Sequence, residues 1–194
     1  MDSANVVQQK ILNVAQKQMI KLGYRKVSMD EIAQELKMSK NTIYKEFVSK
    51  EEIAKALIKR LQQRINEGLG SIERTEQDPL KVFSNSILLL RKELAPWFEH
   101  FFRDIQHELP HLWEDFLRHR NEKILDIQAQ VKRGIKKGVF RNVNDSIAVQ
   151  AYLGSIKAII SPKFLEQEKI GFHEAMDAVL DIWANGIVKR KGDK

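Results

Sequence analysis

Apolar residues recur along most of this chain at spacings of three and four. Before Gly23 they stand at Val7, Ile11, Leu12, Ala15, Met19 and Leu22, the stripe of an amphipathic helix. Gly23 follows where a left-handed helix cap belongs. In the stretch SMDEIAQEL, Ser28 and Glu31 have the spacing of a capping box. A helix therefore starts at Met29, with Met29, Ile32, Ala33 and Leu36 on its buried side. KMS is a tight turn, and Ser39 caps a third helix from Lys40 to about Lys45. Ser49 and Glu52 form another capping box. It opens a long helix through Ile53, Leu57, Leu61 and Ile65, which Gly68 and Gly70 end.

The same periodicity continues. Asp78-Pro79 is a start signal, with proline at the first helical position. That helix runs to about Ala95, where Pro96 interrupts it, and WFEHFFRDIQHEL forms the next. Pro110 opens a long helix through HLWEDFLRHRNEKILDIQAQVKRGIKK. Gly138 and RNVND make a turn, Asp145 caps SIAVQAYLGSIKAII, and Pro162 closes it. The last helix is FHEAMDAVLDIWANGIV, before a solvated tail, KRKGDK. The pattern predicts an all-α protein of about nine helices. Three short helices lead it, and a larger helical part follows.

Composition narrows the chemistry. The 194 residues are 43% apolar, which supports a packed core. There is no cysteine, so a disulfide scaffold, a thiolate zinc site and a cysteine nucleophile are excluded. The N-terminus has no basic run followed by an apolar core, and no apolar run reaches the roughly 20 residues of a membrane span. The expected protein is soluble and cytoplasmic, without a membrane partner. The net charge is +7, and the first 60 residues carry 12 Lys+Arg against 7 Asp+Glu. An excess of this kind fits either a lysine-rich solvated surface or a polyanion-binding face.

The third helix decides between these readings. It is too short to be stable alone and too polar to be core. Two short helices joined by a tight turn, the second of them polar, describe a helix-turn-helix, whose second helix enters the DNA major groove. Lys40, Asn41 and Thr42 fill its first turn. Asparagine pairs with adenine, lysine reaches guanine acceptors, and the threonine methyl touches a thymine methyl. Tyr44 and Lys45 stand one turn on, within reach of phosphates. Ile43 and Phe47 form the apolar side. Ser28 and Ser49 start the flanking helices, where free N–H groups attract phosphate, and Lys50 lies beside one such start.

The stretch GYRKVSMDEIAQELKMSKNTIYKEFVSKEEI resembles the DNA-binding signature of the tetracycline-repressor (TetR) family of bacterial transcription regulators. The resemblance covers about residues 6–60 without a gap. Two positions depart from the family's habit: Met19, where an aromatic is common, and Asn41, where glycine is common. The resemblance implies that Ser28, Thr42, Tyr44 and Lys50 contact backbone phosphates and that Lys40, Asn41 and Lys45 face bases. It further implies a divergent second domain that binds a small-molecule effector and dimerises through its last two helices.

Two other constellations compete. HELPH, residues 107–111, has the H-E-x-x-H spacing of zinc proteases, which would make this a helical, metal-dependent hydrolase. That chemistry needs both histidines on one helical face, and Pro110 prevents it, so neither metal nor cofactor is expected. Trp97, Phe98, Phe101, Phe102, Trp113 and Phe116 are either plain core or the lining of an effector cavity. The last two helices carry surplus apolar residues, among them Ile156, Ile160, Val179 and Trp183, with Gly154 and Ala158 permitting close approach. They fit a two-fold four-helix dimer interface or a monomeric core.

The expected organisation is a DNA-binding domain over 1–48 and a regulatory domain over 49–194. Within the latter, 49–70 connects, 80–137 holds the ligand and 145–188 dimerises. The expected function is a non-enzymatic transcriptional regulator: a homodimeric repressor released from a palindromic double-stranded DNA operator by a small ligand.

Overall fold

Side-chain caps and glycines set where the helices of this chain begin and end. The computed structural model describes residues 3–122 and 124–188, so the basic tail, 189–194, lies outside the described residues. Among the described residues there are eleven helical segments and no strand. The first four are α1 (Ser3–Leu22), α2 (Met29–Leu36), α3 (Lys40–Glu46) and α4 (Lys50–Thr75). Gly23 ends α1 at φ +90°, its N–H bonded to the Met19 carbonyl at 2.9 Å, a backbone region that favours glycine. The Ser28 hydroxyl accepts the Glu31 N–H at 3.2 Å and the Glu31 carboxylate accepts the Ser28 N–H at 2.7 Å, completing the predicted box. Ser39 starts α3 by accepting the Thr42 N–H at 3.1 Å. Ser49 accepts the Glu52 N–H at 3.2 Å, but the Glu52 carboxylate reaches one residue further back, to the Val48 N–H at 2.9 Å. Leu36 is half-buried rather than core.

Several predicted ends move, each for a local reason. Gly68 and Gly70 do not end α4, which continues to Thr75. Gly68 is there for packing: a β-carbon on it would stand 2.6 Å from Leu89 Cδ2. The next helix, α5 (Pro79–Phe98), runs through Pro96. Only two residues follow Pro96 in α5, so its missing N–H leaves one carbonyl, that of Lys92, without its helical partner near the end of the helix. Hence α6 (Phe101–Glu108) starts later than expected. Next come α7 (Pro110–Glu122) and α8 (Ile124–Lys136). Whether these form the single predicted helix turns on residue 123, which lies outside the described residues. Asn144, not Asp145, caps α9 (Asp145–Ile159) by accepting the Ile147 N–H at 3.0 Å. Asp145 instead accepts from Gln128 Nε2 at 2.6 Å. Pro162 opens a short helix the periodicity did not reveal, α10 (Pro162–Glu168), with Ser161 as its cap. The last is α11 (Phe172–Ile187).

The chain forms two compact units. Unit 1 takes the residues up to Arg64 together with Pro96–Phe116, so α6 and the start of α7 join α1–α3 and the first part of α4. Its core contains Ile11, Met19, Ile32, Ile43, Ile53, Leu57, Phe101 and Ile105, all fully buried. Arg60 fastens α4 to α1, donating to Asn13 Oδ1 at 2.8 Å and to Gln9. Unit 2 takes Ile65–Ala95 and the residues from Leu117 onward. Phe83, Tyr152 and Trp183 pack as an aromatic knot, with Phe83 and Trp183 centroids 4.6 Å apart. Trp183 Nε1 donates to the Ala148 carbonyl at 2.7 Å, locking α11 to α9. Burial raises the Tyr152 phenol far above its ordinary range.

The two α4 glycines should respond oppositely to substitution. Gly68→Val forces Leu89 aside and should destabilise by about 1–3 kcal/mol. At Gly70 an added β-carbon meets just the flexible end of Arg74, 3.3 Å away. Gly70→Ala should therefore stabilise by about 0.5–1 kcal/mol, by restoring helix propensity. Urea unfolding of the two variants measures both signs.

Candidate nucleic-acid interface

The third helix has seven residues, and its two faces differ sharply. Ile43 is fully buried and Phe47, its C-cap, nearly so. Burying side chains of this size contributes about 1.5–3 kcal/mol each, which a helix of two turns cannot obtain from its own hydrogen bonds. The opposite face presents Asn41, Tyr44 and Lys45 to solvent. Tyr44 is 46% exposed, and no protein group among the described residues bonds its hydroxyl. An amide, a phenol and an ammonium on one exposed helical face can meet base edges and phosphates.

The other predicted contacts already have partners. Lys40 Nζ donates to Asp30 Oδ2 at 2.6 Å, a pair in which both side chains are mostly exposed. That hydrogen bond raises the Lys40 pKa. An exposed pair is easily exchanged for another acceptor, because water and salt screen it. The Thr42 and Ser39 hydroxyls are 2.8 Å apart at the start of α3. The Ser28 hydroxyl serves the α2 cap and holds the Glu31 carboxyl below its usual range. Lys50 bonds inward: Nζ donates to the Tyr24 carbonyl at 3.0 Å and sits 4.2 Å from the centroid of the Tyr24 ring. Burial lowers the Lys50 pKa, against the opposing charges of Glu108, Asp104 and Glu31. Lys50 is thus a fastener of the turn after α1 in this conformation.

Sequence reasoning missed Val48. It is apolar yet 70% exposed, directly after α3. The available signal was its failure to join the Ile43–Phe47 spacing. An exposed aliphatic group beside a reading helix can touch thymine methyls.

The remaining predicted residues lie elsewhere. Trp97, Phe98, Phe101, Phe102, Trp113 and Phe116 are all buried in unit 1. They pack on one another: Phe102 and Phe116 centroids are 4.5 Å apart, and Trp97 and Phe101 are 5.0 Å apart, edge to face. A cleft of about 320 Å³ occurs instead in unit 2, lined by Glu73, Glu76, Gln77, Pro79, Val82, Gln130, Arg133 and Lys137. Ile156, Ile160, Val179 and Trp183 are buried in the core of their own unit. The solvent face of α9 instead carries Ile147, Ala151, Gly154 and Ala158, and that of α11 carries Ala178 and Ile182. Ile147 and Ile182 are 69% and 72% exposed. His107 ends up on α6 and His111 on α7, where its Nε2 is 2.9 Å from Glu51 Oε1. Among the described residues no group of His, Cys, Asp or Glu is arranged to hold a metal. None of the described helices is long and apolar enough to cross a membrane.

Substitutions on the exposed face should separate affinity from sequence preference. Tyr44→Ala should weaken binding to every duplex by a similar factor, on the order of tenfold, as loss of a phosphate contact does. Asn41→Ala and Lys45→Ala should change which bases are preferred. Binding assays on a selected and a random duplex check this, and equal losses on both for all three variants would refute these roles.

Residues 11–57 match the family described as bacterial regulatory proteins, tetR family. An uncharacterized HTH-type transcriptional regulator of Bacillus subtilis (strain 168) is 25% identical over 172 residues, which cover 82% of this chain and 85% of that protein. A transcriptional regulator of the TetR family from Agrobacterium tumefaciens shares the fold with a TM-score of 0.73 at 17% identity, over 96% of this chain and 100% of that one. A Saccharomonospora viridis protein solved in complex with choline superposes with a TM-score of 0.76 at 20% identity, over 96% of this chain and 100% of that one. Over residues 11–57 this chain is thus similar to the DNA-binding segment of the tetR family of bacterial regulatory proteins, and it shares a fold along nearly its whole length with solved transcriptional regulators.

Proposed function

We propose that the protein is a homodimeric repressor that grips a palindromic operator and leaves it when a small ligand binds unit 2. The observation that carries this reading is the division of α3: Ile43 and Phe47 turned inward, Asn41, Tyr44 and Lys45 outward. In the proposed complex Asn41, Lys45 and Lys40 meet base edges. Tyr44, Thr42 and Ser28 position the head on phosphates, and Lys50 does so after exchanging the Tyr24 carbonyl for a phosphate.

One head makes too few contacts for tight specific binding, so two are needed on one face of the duplex. The second copy is recruited through the solvent faces of α9 and α11. Ile147, Ala151, Gly154 and Ala158 follow one another at helical spacing, and a β-carbon on Gly154 would meet nothing within 4 Å. An apolar, small-residue face with this much exposed isoleucine suits close helix packing across a two-fold axis. Burial of Ile156, Ile160, Val179 and Trp183 beneath it gives that face a rigid backing.

The effector enters the cleft of unit 2 between the end of α4, the start of α5 and α8. Glu73 and Arg133 face each other there at 3.9 Å, and Lys137 Nζ donates to the Gln77 carbonyl at 2.8 Å. A polar ligand can replace these loose contacts. It moves the binding equilibrium only by the difference in its affinity for the two head separations, on the order of 1–3 kcal/mol.

Selection from a random duplex pool should enrich an inverted repeat. By sedimentation equilibrium the parent chain should be a dimer, while Ile147→Glu and Ile182→Glu should sediment as folded monomers. Those monomers should lose at least about a hundredfold in affinity for the selected duplex, because the second head is lost. Dimeric, fully binding Ile147→Glu and Ile182→Glu chains would contradict this reading.

A further inference from the structure

Side chains on two neighbouring helices hold the turn between α1 and α2. Lys50, at the start of α4, holds the Tyr24 carbonyl. Asp104, on α6, holds the next residue. It is 7% exposed, and its Oδ2 accepts the Arg25 N–H at 2.9 Å. A β-carbon on Gly23 would collide with that same carboxylate. One turn further along α6, Glu108 Oε1 lies 3.7 Å from Arg25 Nη1. Glycine at 23 and aspartate at 104 therefore fit one another, and a larger residue at 23 displaces the contact.

Packing alone does not explain Asp104. An apolar residue would fill the same site without the cost of desolvating a carboxylate. What a carboxylate adds is a charge-assisted bond to a backbone amide, which fixes distance and direction. The amide it fixes stands three residues before Ser28, the cap of α2, and α2 packs on α3. Asp104 belongs to the excursion Pro96–Phe116, and both ends of that excursion continue into unit 2.

We propose that Asp104 is a positioning residue for DNA binding. It touches no DNA. It holds the turn Gly23–Arg25 and so sets the angle at which α2 presents α3 to the groove. This rests on α3 being the helix that reads base edges. The misplacement of a reading helix costs its directional base contacts first, whereas lysine attraction to phosphate tolerates it.

The test uses the full-length chain, the duplex it selects from a random pool, and a random duplex of equal length. Asp104→Ala should bind the selected duplex on the order of tenfold or more weakly, the loss expected for a hydrogen bond to a charged acceptor. Binding to the random duplex and its salt dependence should stay at the parent's values. Asp104→Asn keeps an acceptor oxygen for the Arg25 amide and should recover most of the affinity. Parent-like binding by a folded Asp104→Ala chain overturns the proposal, as does an equal loss on both duplexes. If Asp104→Ala does not fold, amide hydrogen exchange in the parent decides. Arg25 protected like the interior of α6 supports the bond, and exchange at an unstructured rate overturns it. Failure of the parent to select any sequence would refute the reading of α3 itself, a separate outcome.

Discussion

The burial of Ile43 and Phe47 is the constraint on which the interface depends. A helix of seven residues satisfies few of its own backbone groups and is not stable in isolation. It persists because these two apolar side chains enter the core of unit 1 and because the Ser39 hydroxyl caps its first turn. Everything polar on α3 is thereby turned outward without further instruction. The core makes the reading face by exclusion: with i and i+4 claimed by burial, Asn41, Tyr44 and Lys45 have nowhere to go but solvent.

The cationic groups divide into two kinds. Lys45 is exposed and faces solvent, and Lys40 is tied to Asp30 by an exposed bond. Lys50 and Arg25 are tied to the turn after α1: Lys50 through the Tyr24 carbonyl, Arg25 through Glu108 and through its own amide on Asp104. In the proposed complex the first kind meets the polyanion directly. The second fixes the turn that positions it, and Lys50 reaches a phosphate only on leaving the Tyr24 carbonyl. A count of positive charge in the first 60 residues does not distinguish them, since both contribute equally to the sum.

Much of the fold was legible because its signals are local. The boxes and caps at Ser28, Ser39 and Ser49 act within three residues, and Gly23 announces its own left-handed backbone. The errors came where a residue answered to something distant. Gly68 reads as a helix end but is a contact with Leu89. Pro96 reads as a break but falls where a helix tolerates it. The six aromatics from Trp97 to Phe116 read equally as core or as cavity lining, since their spacing does not separate the two; in space they pack together within unit 1. Ile156, Ile160, Val179 and Trp183 read as interface or as core, because apolar character alone does not separate the two; within the chain they are buried. Asp104 gave no signal, because a carboxylate on a polar-looking helix reads as solvated until the turn it holds is seen.

The most direct test of α3 as a major-groove reader is methylation interference on the selected duplex. Dimethyl sulfate marks guanine N7, an acceptor in the major groove, and adenine N3, in the minor groove. Guanine methylation should block binding at two clusters about one helical turn, or roughly 34 Å, apart. Adenine methylation within those clusters should have little effect. Interference confined to adenine, or spread evenly along the duplex, would contradict that role of α3.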